Sequence, residues 1–199
     1  MRSNHLKCVV LFCFFLLVIS VQMIASTPGM VFNPETVTIN GLVWMKQNLH
    51  PAMLAPGSGV TGVSYQNQEN IDEAYGYLYT YNEAIKACPE GWHLPTIEEW
   101  NQLFDFLGGV QQAGASLKTV EGWQAPNTGA NNLSGFSALP AGGGDDHNRF
   151  DGFGWSAHFW SNSARSGKIF VPSLMHDTAA VYILELPSEM HASVRYIKD

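Results

Sequence analysis

An α+β domain is the fold class the sequence predicts, on three observations. The segment from Thr36 to Leu49 alternates in character around Asn40-Gly41, a dipeptide that tolerates the positive φ angles of a tight hairpin turn. Two T-x-x-E boxes, Thr80 to Glu83 and Thr96 to Glu99, each open a run with helical spacing. Past residue 110 that spacing gives way to short apolar runs among Gly, Asn and Ser, which suit short strands joined by long loops.

Each element follows in order. The hairpin leads into a stretch from Asn48 to Asn70 rich in Gly, Ser, Pro and Asn, read as a long surface loop. After the first capping box, Tyr81, Ala84, Ile85 and Cys88 fall on one helix face, and that helix is expected to end near Gly91. After the second, Trp100, Leu103, Phe104 and Leu107 make the buried stripe, and Gly108-Gly109 stops the helix. Phe136 to Leu139, Phe159 to Trp160 and Val181 to Leu186 are the expected strands of the second half. Val194 to Ile197 is expected as the last strand.

The 199 residues suffice for one domain with a sizeable core. Arg2 and Lys7, the apolar run from Cys8 to Val21 and the small residues Ala25 and Ser26 form the layout of a secretory signal peptide. The expected division is a leader over residues 1–26 and a domain over 27–199. The protein is then secreted or held at the cell surface, with the periplasm and the outer-membrane exterior included. No stable membrane insertion is expected once the leader is removed, and no cysteine directly follows the apolar run to accept a lipid. The remainder carries eight basic and seventeen acidic side chains, a formal charge of −9, which makes nucleic acid and anionic lipid poor partners. Cys88 is its only cysteine, so an internal disulfide is impossible.

Several segments carry a resemblance to a known family. They are Val43-Trp44-Met45-Lys46-Gln47-Asn48-Leu49, Tyr75-Gly76-Tyr77-Leu78-Tyr79, and Cys88-Pro89-Glu90-Gly91-Trp92-His93-Leu94-Pro95-Thr96 leading to Glu99-Trp100. Later come Ser134 to Gly142, Phe159-Trp160-Ser161 and Ser193-Val194-Arg195. In this order they resemble the Fibrobacter succinogenes major paralogous domain over nearly all of residues 36 to 199. Leu94-Pro95-Thr96 before Glu99-Trp100 is also similar to formylglycine-generating enzymes. The resemblance implies a C-type-lectin-like fold, with two helices, twisted antiparallel sheets and long loops gathered on one side. It also implies a cysteine after Val-Arg, paired with the one that precedes Pro-x-Gly-Trp. Tyr196 stands there instead, so Cys88 is expected to be a buried, unreactive thiol beside it.

Two groups of residues stand out as candidate sites. Asp145, Asp146, Asn148 and Asp151 crowd oxygen ligands into a Gly-flanked loop that also holds His147, and calcium takes six to eight such oxygens. Their spacing fits no EF-hand loop, and the sugar-binding triplets of C-type lectins are absent, so a solvated acidic loop is the competing reading. Asp146, Arg149, Phe153, Trp155, His158 and Trp160 form the candidate ligand-binding set, because aromatics on loops supply contact area at low entropic cost. The alternative is that these aromatics anchor the loops from beneath. Trp92, His93 and Trp100 are read as scaffold.

The seven histidines show no H-x-x-x-H spacing, and no G-x-S-x-G, phosphate loop or dinucleotide fingerprint occurs. No catalytic residues and no cofactor are therefore expected, calcium apart. The leading expectation is a non-catalytic recognition or adhesion module for an extracellular protein or glycan ligand. Its rivals are an enzyme related to formylglycine-generating proteins, whose chemistry uses a cysteine pair, and a structural component of a surface layer or appendage. The oligomeric state stays open.

Overall fold

The computed structural model describes residues 32–65, 74–147 and 149–199. The leader expected over residues 1–26 and the candidate ligand Asn148 lie outside the described residues.

Strands β1 (Thr36–Ile39) and β2 (Leu42–Met45) form the expected hairpin. Asn40 and Gly41 take φ of 49° and 79° at its turn. A 3-10 turn at Pro51–Met53 interrupts the following loop. Helix α1 (Tyr81–Lys86) has both halves of its capping box, with Thr80 accepting from the Glu83 N–H and Glu83 from the Thr80 N–H. Its buried side follows the expected stripe in part: Ala84 is buried, and Tyr81 and Cys88 pack against the core, while Ile85 is exposed and Ala87 is buried instead.

Strand β3 (Trp92–His93) leads to α2 (Ile97–Phe106), which carries the second complete capping box. Trp100, Leu103 and Phe104 are buried as the spacing predicts. Gly108 and Gly109, at φ of 98° and 86°, end the helix. A further short helix, α3 (Ala113–Leu117), occupies a stretch expected to be irregular. It has no side-chain cap, and it is set against the 179–180 backbone, where a Cβ on Gly114 would lie 2.7 Å from the Ala179 carbonyl oxygen.

The second half is more regular than its composition suggests. Strands β4 (Ala141–Gly144), β5 (Phe150–Phe153), β6 (Ser156–His158), β7 (Ala164–Arg165), β8 (Lys168–Met175) and β9 (Val181–Leu186) join in one sheet. Its order is β5-β4-β6-β8-β7, with β9 paired to β8. All pairs are antiparallel except β4 with β6. The expected strand at Phe136 to Leu139 is reduced to one bridge between Ala138 and Lys118, since Ser137 sits at φ 58° and leaves the extended region. Phe159 lies just past β6 and bridges Ser193. Pro172 does not break β8, the longest strand. Its carbonyl accepts the Phe159 N–H at 2.9 Å, so its missing N–H faces the side where the β6 ladder has ended.

The last strand, β10 (Ile197–Lys198), lies between β2 and β3 in a four-stranded sheet of order β1-β2-β10-β3. It begins later than the expected Val194, because buried Ser193 to Tyr196 makes single backbone bonds to separate segments, among them Ser193 to His158 and Trp160, Val194 to Leu49 and Tyr196 to Met45, rather than one continuous ladder. One core centres on Trp44, Trp100, Phe104, Phe136 and Phe159, and the other on Met45, Tyr79, Trp160, Val171 and Tyr196. Among the described residues no helix is long and apolar enough to cross a membrane. The architecture is mixed α+β, with few helices and largely antiparallel sheets.

Candidate functional site

The register of β6, β8 and β9 divides the larger sheet into two unlike faces. Residues opposite one another on antiparallel strands point the same way. Ala157 pairs with Leu174, which pairs with Val181, and this row enters the first core together with Ile183. His158 pairs with Ser173, which pairs with Tyr182, and that row lies on the other face. Ser156 and Met175 flank it on one side, with Leu184 on the other.

Two hollows adjoin on this second face. One, of about 440 Å³, is lined by Gly143, Phe150, His158, Leu186, Met190 and His191 among others. The other, of about 960 Å³, is lined by Tyr65, Phe153, Trp155, His176, Asp177 and Tyr182 among others. Asp151, Gly152, Ser156 and Leu184 border both, so the two form one continuous trough. Trp155 is 51% exposed and Tyr182 48%, a large apolar area left in water for a folded domain.

Trp155 is held from three sides. Its N–H donates to the Gly152 carbonyl at 2.8 Å, its carbonyl accepts the His176 N–H at 2.8 Å, and its ring meets the His176 ring edge-on at 4.8 Å. On the floor, His158 Nδ1 lies 2.8 Å from Ser173 Oγ, and that hydroxyl donates to the Val171 carbonyl at 3.1 Å. With the Ser173 proton assigned to the Val171 carbonyl, the imidazole donates through Nδ1–H and Nε2 is left as an acceptor. Burial pushes the His158 pKa down to about 4, so the ring is neutral at ordinary pH. Among the described residues Nε2 has no hydrogen-bond partner. A His next to a Ser suggests nucleophilic catalysis, but Ser173 is fully buried and its hydroxyl points into the sheet.

The structure gathers part of the ligand-binding set predicted from sequence. Trp155, Phe153 and His158 line the trough, and Arg149 stands at one end of it. Phe153 is half-buried against Tyr65 and Tyr75, which suits an anchor rather than a free contact. Trp160 is not part of the surface. It is fully buried, and its Nε1 donates to the Tyr79 carbonyl at 2.7 Å, because the chain turns into the second core immediately after Phe159. Asp146 lies outside the trough at the exposed β4–β5 turn, with His147 at 2.6 Å.

The expected oxygen cluster is not assembled as a set. Asp145 closes the turn: its Oδ1 accepts the His147 and Arg149 N–H groups, each at 2.9 Å, and its Oδ2 takes the Arg149 guanidinium at 2.6 Å. These bonds, the Arg149 N–H first, hold its pKa down at about 2. Asp145, Asp146 and His147 are close enough to share an ion, but Asp145 already spends its lone pairs on the turn. Asp151 is separate, accepting the Gly152 N–H and facing the trough.

Scaffold roles fall where expected. His93 sits between Glu99 at 2.9 Å and Asp199 at 2.7 Å, tying α2 to the C-terminus. Cys88 is half-buried rather than buried, with its Sγ 3.1 Å from the Trp92 carbonyl. Burial, then the nearby Asp199 charge, pushes the thiol up to about 11. Tyr182, Leu184, His176 and Asp177 line the trough and were not predicted. The alternation of Val181 to Leu186 carries the first two on one face; His176 and Asp177 follow the end of β8, in a stretch where no strand was expected.

No curated protein and no solved structure matches the chain. The family model for the Fibrobacter succinogenes major domain matches residues 37–198, which take in both sheets, helices α1 to α3 and every residue of the trough. The chain therefore belongs to the Fibrobacter succinogenes major domain family.

Proposed function

We propose that this protein is an exported, non-catalytic recognition module, secreted or displayed at the cell surface, that holds a protein or glycan ligand on the open face of its larger sheet. The observation that carries the reading is the pair of exposed aromatics, Trp155 and Tyr182, beside a continuous trough. Exposed aromatic side chains held rigid by the scaffold are the usual anchors of recognition surfaces. Trp155 meets that condition through its two backbone bonds and the His176 ring.

Two features speak against the enzyme alternative. The one Ser–His pair has a buried hydroxyl, and Cys88 is the only cysteine among the described residues, with a pKa that disfavours the thiolate. A C-type-lectin-like architecture is in keeping with few helices, long loops and a last strand placed beside the first hairpin. The acidic surface weighs against nucleic acid as a partner.

The test is retention of the labelled protein on intact cells and extracellular material of the producing organism, compared with a Trp155→Ala/Tyr182→Ala variant. Both side chains are exposed, so the variant should fold, which circular dichroism checks. Retention at least tenfold weaker is expected, in line with about 2 kcal/mol for a buried aromatic anchor. Equal retention of the two proteins would place the contact elsewhere.

A further inference from the structure

The trough has a one-sided chemistry that narrows its ligand. Its polar groups facing solvent are chiefly acceptors, beside the indole N–H of Trp155 and the hydroxyl of Tyr182, which can donate. Asp151 and Asp177 carry exposed carboxylates along it, and His158 offers Nε2 from the floor. Among the described residues the one cation at its border is Arg149, and Asp145 takes that guanidinium. Trp155 and Tyr182 add two exposed aromatic faces on the same side.

Such a surface suits a ligand rich in donors, free of negative charge, and furnished with apolar patches wide enough to cover a ring. Peptides present one carbonyl acceptor per residue along the backbone, and most of these would face acceptors here. Anionic polymers would meet like charges at Asp151 and Asp177. Sugars match: every hydroxyl can donate, and the C–H face of a pyranose is apolar and flat enough to lie on an indole or phenol ring.

On the recognition reading above, we infer that the trough is a binding site for a neutral glycan, with sugar rings stacked on Trp155 and Tyr182 and one hydroxyl donating to His158 Nε2. Asp151 and Asp177 accept from further hydroxyls. The neutral state of His158 matters, since a protonated imidazole would turn its one acceptor into a donor. A site of about 960 Å³ adjoining one of about 440 Å³ has room for more than one sugar unit, so chain length should matter.

The experiment is calorimetric titration of the full chain, expressed with export, with soluble neutral hexasaccharides of gluco, manno, galacto and xylo configuration, and with a hexamer of galacturonic acid. At least one neutral hexasaccharide should bind, its disaccharide should bind more weakly, and the anionic hexamer should not bind. Trp155→Ala and Tyr182→Ala should each weaken binding tenfold or more. His158→Phe, which keeps the ring but removes the acceptor, should do the same, and His158→Gln, which restores an acceptor, should recover most of the loss. Thermal melts of the His158 variants separate a folding defect from a lost contact. Binding should hold from pH 8 to pH 5.5, and a loss across that range would overturn the neutral-acceptor role.

Preference for the anionic hexamer, or the absence of binding by every neutral one, would overturn the glycan assignment. Its failure is distinct from failure of the recognition reading. If no sugar binds but retention on cells depends on Trp155 and is abolished by protease rather than periodate, the ligand is a protein and the module stands. Where Trp155-dependent retention is also missing, both fall.

Discussion

Lys118 and Arg195 are buried cations that face carbonyls rather than carboxylates. Lys118 Nζ donates to the carbonyls of Thr128, Met175 and Thr178 at 2.9 to 3.0 Å, tying the loop at Thr128 to the chain that leaves β8. Arg195 donates to the Asn48 side chain and to the carbonyls of Met45, Phe136 and Ser137, and lies 4.3 Å over the Phe136 ring. A lysine could not make that fork. His158 has the opposite role, as a neutral buried base, and its titration is testable. Its folded pKa lies near 4, below the roughly 6.5 of an unfolded histidine. Between those values the unfolded chain binds more protons, so this contribution to stability is complete above pH 6.5 and is lost as the pH falls toward 4. The urea midpoint of the protein should drop over that window, and that of His158→Gln should drop less. A ring resonance titrating near 6.5 in the native protein would show the imidazole to be solvated.

At the scale of elements, glycine decides where strands can approach. Gly142 in β4 sits at φ 69°, and a Cβ there would lie 2.4 Å from the Asp151 carbonyl oxygen and 2.8 Å from the Phe153 N. Both are backbone atoms of β5 and cannot swing aside. Gly41, in the β1–β2 turn, has a similar φ of 79° and nothing within 4 Å. Gly41→Ala should therefore cost only the backbone strain, about 1 kcal/mol, whereas Gly142→Ala should cost about 3 kcal/mol or more and loosen the β4–β5 edge of the trough. Chemical denaturation of the two variants gives the comparison, and equal losses would show that β4 and β5 are not so closely packed. The two capped helices are the counterpart: Thr80, Glu83, Thr96 and Glu99 act within one turn of chain, so their effect is the same wherever the helices dock.

At the scale of the molecule, the C-terminal segment joins the halves. Tyr196 is fully buried and donates to the Ala84 carbonyl at 2.6 Å, which sets the last strand beside α1 as the family resemblance implies. Tyr196→Cys should then form a bridge with Cys88 when the protein is exported. Cross-linking a loop of about 108 residues contributes about 4.7 kcal/mol in the chain-entropy account. Removing a buried aromatic costs about 3 to 5 kcal/mol. These offset, so the melting temperature should change little while both thiols disappear from titration of the unfolded protein. Two free thiols would mean that the Tyr196 and Cys88 backbones are too far apart. In the native parent, Cys88 should react slowly, since a thiol near pKa 11 is roughly 0.1% thiolate at pH 8.

The sequence by itself determined the parts whose causes are local. Asn40-Gly41, the two capping boxes and the Gly108-Gly109 stop each act through residues within a few positions, so the hairpin and both longer helices were legible before any tertiary contact was known. The family was legible too, because ordered motifs are a property of sequence. Val181 to Leu186 was legible as a strand as well, and only the tertiary structure decided how the rest of residues 110–199 fold. The glycine run became a strand because β5 crosses against it, Pro172 was tolerated because β6 ends beside it, and Trp160 went inside while Trp155 stayed out because the chain enters the second core between them. The trough is decided at the same level. Trp155 and His158 come from one segment and Tyr182 from another, and only the strand register of β6, β8 and β9, fixed by burial of the opposite face, sets His158 and Tyr182 in one row with Trp155 at the border.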